Sequence, residues 1–116
     1  MKIDRAKIHS MFGGHCAYCG QGISIKQMHV DHVHARFRGG EDESENMFPA
    51  CASCNLWKKT YSVEEFRHEI SMQKQRLPRN AGYRLAMRYG LIIETAVHVR
   101  FYFEKSAQEE GNGPKS

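Results

Sequence analysis

The fold is decided between Cys16 and Lys59, where the sequence reads CAYCGQGISIKQMHVDHVHARFRGGEDESENMFPACASCNLWKK. Two CxxC pairs bound this stretch, Cys16 with Cys19 and Cys51 with Cys54, and 31 residues separate them. A CxxC turn places two sulfurs on one side of a tight loop, so two such turns can close a tetrahedral four-thiolate site around Zn²⁺. A thioredoxin-like redox pair would explain one CxxC and leave the other without a role. The spacing therefore predicts a structural zinc site.

The composition describes an ordinary globular protein. The 116 residues fit one domain, and 41% hydrophobic with 26% charged residues excludes a chain that is disordered throughout. No window approaches the roughly 18 consecutive apolar residues of a membrane span, and the first residues lack the apolar core of a signal peptide. We therefore expect a cytoplasmic protein without membrane contact, in which disulfides are rare and zinc stabilises a small core.

Periodicity and capping signals predict the elements that surround the cysteines. Up to Thr60 they are a helix from Arg5 to Phe12 capped by Asp4, a strand Met28–Val33, a loop Ala35–Glu45, a strand Met47–Pro49 and a helix from Cys51. Beyond it they are a helix opened by the capping box Ser62–Glu65 with an apolar stripe of Val63, Phe66, Ile70 and Leu77, a helix from Arg79 to Tyr89, and a strand through residues 97–103. We expect one domain over residues 1–105, with a core of about 16–60 and an extension of about 62–104. The polar residues 106–116 are expected to be a disordered tail.

The residues that carry chemistry lie between and just after the cysteine pairs. Asp31 and His32 end a strand, Asn46 follows the Gly-Gly loop, and Asn55 follows the last cysteine with a lysine shortly after it. This order and spacing resemble the HNH endonuclease family over about residues 16–59. The resemblance implies a small α+β, treble-clef-like ββα-metal core, braced by the zinc site and extended by further helices.

The resemblance also implies a role for each matched residue. Asp31 and Asn55 would bind a catalytic Mg²⁺ or Mn²⁺ through oxygen atoms, and His32 would be the general base that takes a proton from water. Asn46 would tie the long loop through its side-chain amide. With Asn55 at a position where many members carry histidine, the site reads as a His-Asn-Asn variant. His34 stands where an apolar residue is usual, and its role is left open.

Positive charge on both sides of an acidic segment points to a polyanionic partner. The formal net charge is +4 and the pI near 9.0, although Glu41, Asp42, Glu43 and Glu45 cluster in the loop. Four cations near the proposed ion would contact DNA phosphates, namely Arg36, Arg38, Lys58 and Lys59. We therefore expect a divalent-metal-dependent DNA endonuclease. Two alternatives stay open: a non-catalytic zinc module that binds nucleic acid or protein, and a nuclease subunit active only within a larger phage packaging or restriction assembly. The sequence leaves the oligomeric state, the sequence specificity and the physiological ion undetermined.

Overall fold

A computed structural model describes residues 3–105 of the chain. The main elements are, in chain order, α1 (Arg5–Ser10), β1 (His29–His32), β2 (Met47–Ala50), α2 (Ala52–Lys58), α3 (Val63–Ser71), α4 (Gln73–Arg76) and α5 (Ala81–Arg88). Single 3₁₀ turns cover Arg36–Arg38, Ser44–Asn46 and Leu77–Arg79. Two strands with helices packed around them confirm the predicted small α+β class.

The two strands form an antiparallel hairpin joined by the long loop. Asp31 pairs with Phe48 and His32 with Met47, so the loop begins immediately after the two residues of greatest chemical interest. Helix α2 starts directly after β2 and packs against β1. This strand–strand–helix order places the first half of α2 beside the start of β1 and Lys58, the last residue of α2, beside the end of β1.

Tyr18, in the first CxxC turn, is the centre of the core. It is 2% exposed, and its ring lies edge-on to Phe48, Phe66 and Phe101 with centroid separations of 5.3 to 6.0 Å. The backbone N–H groups of Tyr102 and Phe103 donate to the carbonyls of Tyr18 and Ala17. The C-terminal part of the described chain is therefore attached to the first cysteine pair.

The capping residues in the sequence predicted most helix starts correctly. Asp4 accepts a hydrogen bond from the Lys7 backbone N–H at 3.1 Å, and both bonds of the capping box between Ser62 and Glu65 are present. Gly90, at φ 73°, follows α5. Helix α1 ends at Ser10 rather than Phe12.

Two expectations about the extension were wrong. Residues 97–101 form no strand, and residues 102–105 are helical, because Glu104 accepts from the Phe101 N–H and the following amides bond to the first cysteine turn instead of to another strand. Leu77 is 45% exposed, because α3 ends at Ser71 before the apolar stripe reaches Leu77.

The predicted disordered tail, residues 106–116, lies outside the described residues. None of the described helices combines the length and apolarity that crossing a membrane requires.

Candidate functional site

The four cysteines converge as a zinc site requires. Their Sγ atoms all lie within 4.8 Å of one another, and the sulfurs of Cys19 and Cys51 are 3.8 Å apart. A tetrahedron with Zn–S bonds of about 2.3 Å has edges of about 3.8 Å, so this donor set fits Zn²⁺. A hydrogen bond from Cys54 lowers the pKa of Cys16 to about 4, which favours a thiolate at the centre of the cluster.

Gly20 lets the first cysteine turn close beneath the C-terminal segment. Its N–H donates to the Cys16 carbonyl at 3.0 Å, and its φ of 82° lies in the left-handed region. A Cβ at this position would be 2.8 Å from Tyr102 Cδ1. A glycine is therefore needed at this position both for the backbone conformation of the turn and for the close packing of Tyr102.

Asp31 belongs to a buried ion pair. Its carboxylate is 5% exposed and the Lys58 side chain is 0% exposed. Lys58 Nζ lies 3.1 Å from Asp31 Oδ2, and the Tyr18 hydroxyl donates to the same oxygen at 2.6 Å. Burial raises the pKa of Asp31, although the Tyr18 hydrogen bond and the Lys58 charge oppose that rise. Burial and the negative charge of Asp31 together raise the pKa of Tyr18.

The position of Lys58 contradicts its predicted contact with a DNA phosphate. Its ammonium group also donates to the backbone carbonyls of His32 and Val33, each at 3.3 Å. The acceptors around this group therefore lie at the end of β1 or directly after it, and the Lys58 side chain is fully buried. Lys58 fixes the segment that carries His32 and is not available to DNA.

The same pair changes the interpretation of Asp31 as a ligand of a catalytic ion. Mg²⁺ keeps several waters and needs open carboxylate oxygens, whereas both Asp31 oxygens already face Lys58. Asn55, one helical turn before Lys58, is half-buried, and its Nδ2 lies 3.4 Å from His29 Nδ1. The predicted Asp31 and Asn55 donor set therefore does not fit a hydrated divalent ion in this arrangement. Sequence reasoning gave His29 no role; its alternation with Asp31 along β1 was the available signal.

His32 lies at the end of β1 with its outer nitrogen against a carboxylate. Nε2 is 2.8 Å from Asp42 Oδ1, and 17% of the His32 side chain is exposed. Arg36 holds the same carboxylate from the other side, with Nε 2.6 Å from Oδ1 and Nη2 2.9 Å from Oδ2. The Arg36 and His32 hydrogen bonds lower the pKa of Asp42. Asp42 was not predicted as a site residue, because the loop that carries it has no periodic pattern.

The Asn46 side-chain amide bonds to the backbone on both sides of the Gly-Gly turn in the loop. Its Oδ1 accepts from the His34 N–H at 2.8 Å, and its Nδ2 donates to the carbonyls of His34 and Glu41, each at 2.9 Å. Its own carbonyl accepts from the Val33 N–H at 2.9 Å. One amide thus joins the two ends of the loop directly beyond His32.

The other three predicted DNA contacts, Arg36, Arg38 and Lys59, are exposed, but two of them are already paired with an acidic side chain. Arg36 is 62% exposed and paired with Asp42, and Arg38 Nη1 lies 2.5 Å from Glu65 Oε1. Lys59 is exposed, and within residues 3–105 no hydrogen bond or ion pair of its ammonium group is found. Its φ of 52° and ψ of −129° are a strained conformation for a residue with a Cβ.

Comparison with known families supports the identification of the core. The model of the HNH endonuclease family matches residues 16–60, a segment that contains both cysteine pairs, both strands and α2. None of the curated proteins gives a significant match to the chain. The resemblance predicted from the sequence is confirmed for this segment, while the His-Asn-Asn assignment stays a prediction.

Proposed function

We propose that this protein, with its HNH endonuclease segment, is a divalent-metal-dependent enzyme that hydrolyses DNA phosphodiester bonds and uses His32 as the general base. The observation that carries the proposal is the placement of His32 within the matched segment. It lies at the partly exposed end of β1, beside a guanidinium group and beneath a loop that Asn46 holds in place.

The chain's own residues have defined tasks in this reaction. An imidazole can exchange a proton near neutral pH, so His32 would take a proton from the water whose oxygen bonds to phosphorus. The bond from phosphorus to the 3′ oxygen then breaks, and the departing oxygen takes a proton from solvent. Asn46 and Lys58 would act through geometry, because both hold the backbone next to His32.

A divalent ion would supply charge stabilisation at the phosphate when bound. Asp31 is engaged by Lys58 and Tyr18, so it offers such an ion no open carboxylate in this arrangement. Cleavage in Mg²⁺ or Mn²⁺ compared with EDTA tests whether the reaction requires the ion. The zinc site is separate, since four thiolates leave a structural ion no open position.

DNA would be positioned by three exposed cations of the matched segment, of which Arg36 shares the Asp42 carboxylate with His32. Arg36, Arg38 and Lys59 are all exposed, and phosphate contacts of this kind set the register of a duplex without reading its bases. Arg36 and Arg38 each have an acidic partner that a phosphate would replace. Lys59 needs no such exchange.

The test compares His32→Ala with His34→Ala on supercoiled plasmid, with Mg²⁺, with Mn²⁺ and with EDTA. His34 is the matched control because its side chain is exposed and its recorded bonds to Asn46 use only its backbone. We expect His32→Ala to reduce cleavage by roughly 10²- to 10⁴-fold while zinc content, circular dichroism and DNA affinity stay close to wild type. His34→Ala should cleave normally.

Other outcomes would replace the proposal. Wild-type protein that binds DNA without metal-dependent cleavage would indicate a zinc-bound binding module, and cleavage that requires an added protein would indicate a partner-dependent nuclease subunit. If His32→Ala cleaves as well as wild type and His34→Ala does not, the base is His34.

A further inference from the structure

The Asp42 carboxylate contacts both His32 and Arg36, the two side chains that the proposed reaction needs free for water and for DNA. Asp42 Oδ1 lies 2.8 Å from His32 Nε2 and 2.6 Å from Arg36 Nε. Nε2 is the imidazole nitrogen farther from the backbone, and therefore the one best placed to meet a water outside the protein. Arg36 meets Asp42 through two parallel N–H groups, the geometry with which guanidinium groups bind carboxylates and phosphates alike.

The loop that carries Asp42 is built to hold this acid in a defined place. Gly40 makes the close approach at its base: its N–H donates to the Ala35 carbonyl at 2.8 Å, and a Cβ would lie 1.7 Å from the His34 carbonyl oxygen. Gly39 turns the chain at φ 93° with open space around it. Asn46 then closes the loop by donating to the Glu41 carbonyl. Asp42 thus lies between two fixed points, one residue after Glu41.

The carboxylate resembles a phosphate in the way that matters to Arg36. Both are oxyanions that accept two parallel hydrogen bonds from a guanidinium group, and the same carboxylate also covers His32 Nε2. The Asp42 side chain is 39% exposed, so it lies at the edge of the site, where a backbone phosphate would arrive. While Asp42 remains there, a phosphate cannot contact Arg36 in the same geometry and a water cannot take the place of its carboxylate at His32 Nε2.

We infer that Asp42 is an internal competitor for the DNA phosphate, which must displace it before His32 can act. This inference rests on the proposed function, because it concerns the regulation of the same site. Displacement breaks the contacts of Asp42 with Arg36 and His32, so the loss of these contacts offsets part of the favourable free energy of binding between DNA and Arg36. Removing the carboxylate should therefore tighten DNA binding.

The experiment measures binding apart from cleavage. A fluorescein-labelled 20-base-pair duplex is titrated with wild type, Asp42→Asn, Asp42→Ala and Glu43→Gln in EDTA, and Kd is read from anisotropy. Glu43→Gln is the matched control, since it removes the same charge from the same loop and the Glu43 side chain is exposed. Both Asp42 variants should bind about two to five times more tightly than Glu43→Gln, the range expected for releasing exposed ion pairs.

A second background tests the mechanism. In Arg36→Gln, the carboxylate has lost its guanidinium partner, so Asp42→Asn should improve DNA affinity by less than it does in wild type. Under cleavage conditions, Asp42→Asn should lower KM for DNA.

Two results would overturn the inference. The first is equal affinity of the Asp42 variants and Glu43→Gln, which includes the case where none of them binds DNA. The second is a fall in kcat with unchanged KM, which would make Asp42 an orienting partner of His32. If all variants bind DNA with the expected ranking but none cleaves it, the competitor role stands and the proposed endonuclease function fails.

Discussion

Replacement of Lys58 by methionine tests the buried ion pair directly. Methionine is an unbranched, flexible side chain one atom shorter than lysine and fills most of the same space, so the main loss is the charge 3.1 Å from Asp31. Removal of one partner from a buried ion pair costs about 3–5 kcal/mol, because the other charge is left uncompensated. Two backbone carbonyls at the end of β1 also lose a donor. Against a total stability of about 5–15 kcal/mol for an ordinary domain, this loss is large.

The assay is urea unfolding of zinc-loaded protein, followed by circular dichroism and Tyr and Trp fluorescence. Lys59→Met is the control, since it removes a neighbouring lysine that is exposed, and it should leave the free energy of unfolding nearly unchanged apart from backbone effects at that position. A loss below about 1 kcal/mol in Lys58→Met would refute the buried pair as described. Unchanged stability with weakened DNA binding would restore Lys58 as a phosphate contact.

The pH dependence of the same variant has a definite sign. Burial already raises the folded-state pKa of Asp31 above its ordinary value, so the folded protein binds this proton more tightly than the unfolded chain does. Such a group favours folding below its folded pKa, and that contribution is lost as the pH rises through it. Loss of Lys58 raises the pKa further. The deficit of Lys58→Met relative to wild type should therefore be largest at neutral pH and should shrink as the pH falls toward about 4.

Two further predictions concern zinc and backbone strain. Elemental analysis of the wild type should give roughly one zinc per chain, whereas Cys16→Ser and Cys54→Ser should lose this zinc and fail to fold, because zinc-binding free energy in a small domain is largely folding free energy. A folded, zinc-free wild-type protein would contradict this. Lys59→Gly should raise the free energy of unfolding by about 1–3 kcal/mol by relieving the strained conformation, yet reduce the slope of log affinity for DNA against log salt by about one. Thr60→Gly is its control, and a Lys59→Gly variant that is less stable than wild type would show that the conformation is not strained.

Features set by nearby residues were predictable. The Asp4 cap, the Ser62 and Glu65 capping box and the CxxC turns each depend on residues three apart, and the structure contains all of them. The alternation of residues 97–103 was misleading because it reflects burial of Phe101 and Phe103 against Tyr18 rather than pairing with another strand. Alternation alone does not distinguish these two causes.

Contacts between distant segments were not predictable in the same way. Because lysine is ordinarily exposed, Lys58 was predicted to contact DNA at the surface. Its spacing of three residues from Asn55 nevertheless places both side chains on the same face of α2. The need of a buried Asp31 for a counter-charge was the missing consideration. Asp42 reaches His32 only through the path of an irregular loop, which Gly40 and Asn46 determine.

Asp31 and His32, adjacent residues of β1, therefore have different roles: one belongs to the core and the other to the candidate site. Successive side chains of a strand point to opposite faces, and here Asp31 lies in the interior against Tyr18 and Lys58 while His32 lies at the partly exposed edge against Asp42. Lys58 connects the two faces, because the ammonium group that neutralises Asp31 also binds the His32 carbonyl. A charge that is inaccessible to DNA thereby fixes the backbone of the residue proposed to act on it. Substitutions at Asp31 and Lys58 should accordingly act first through stability, substitutions at His32 through catalysis, and substitutions at Asp42 through DNA affinity.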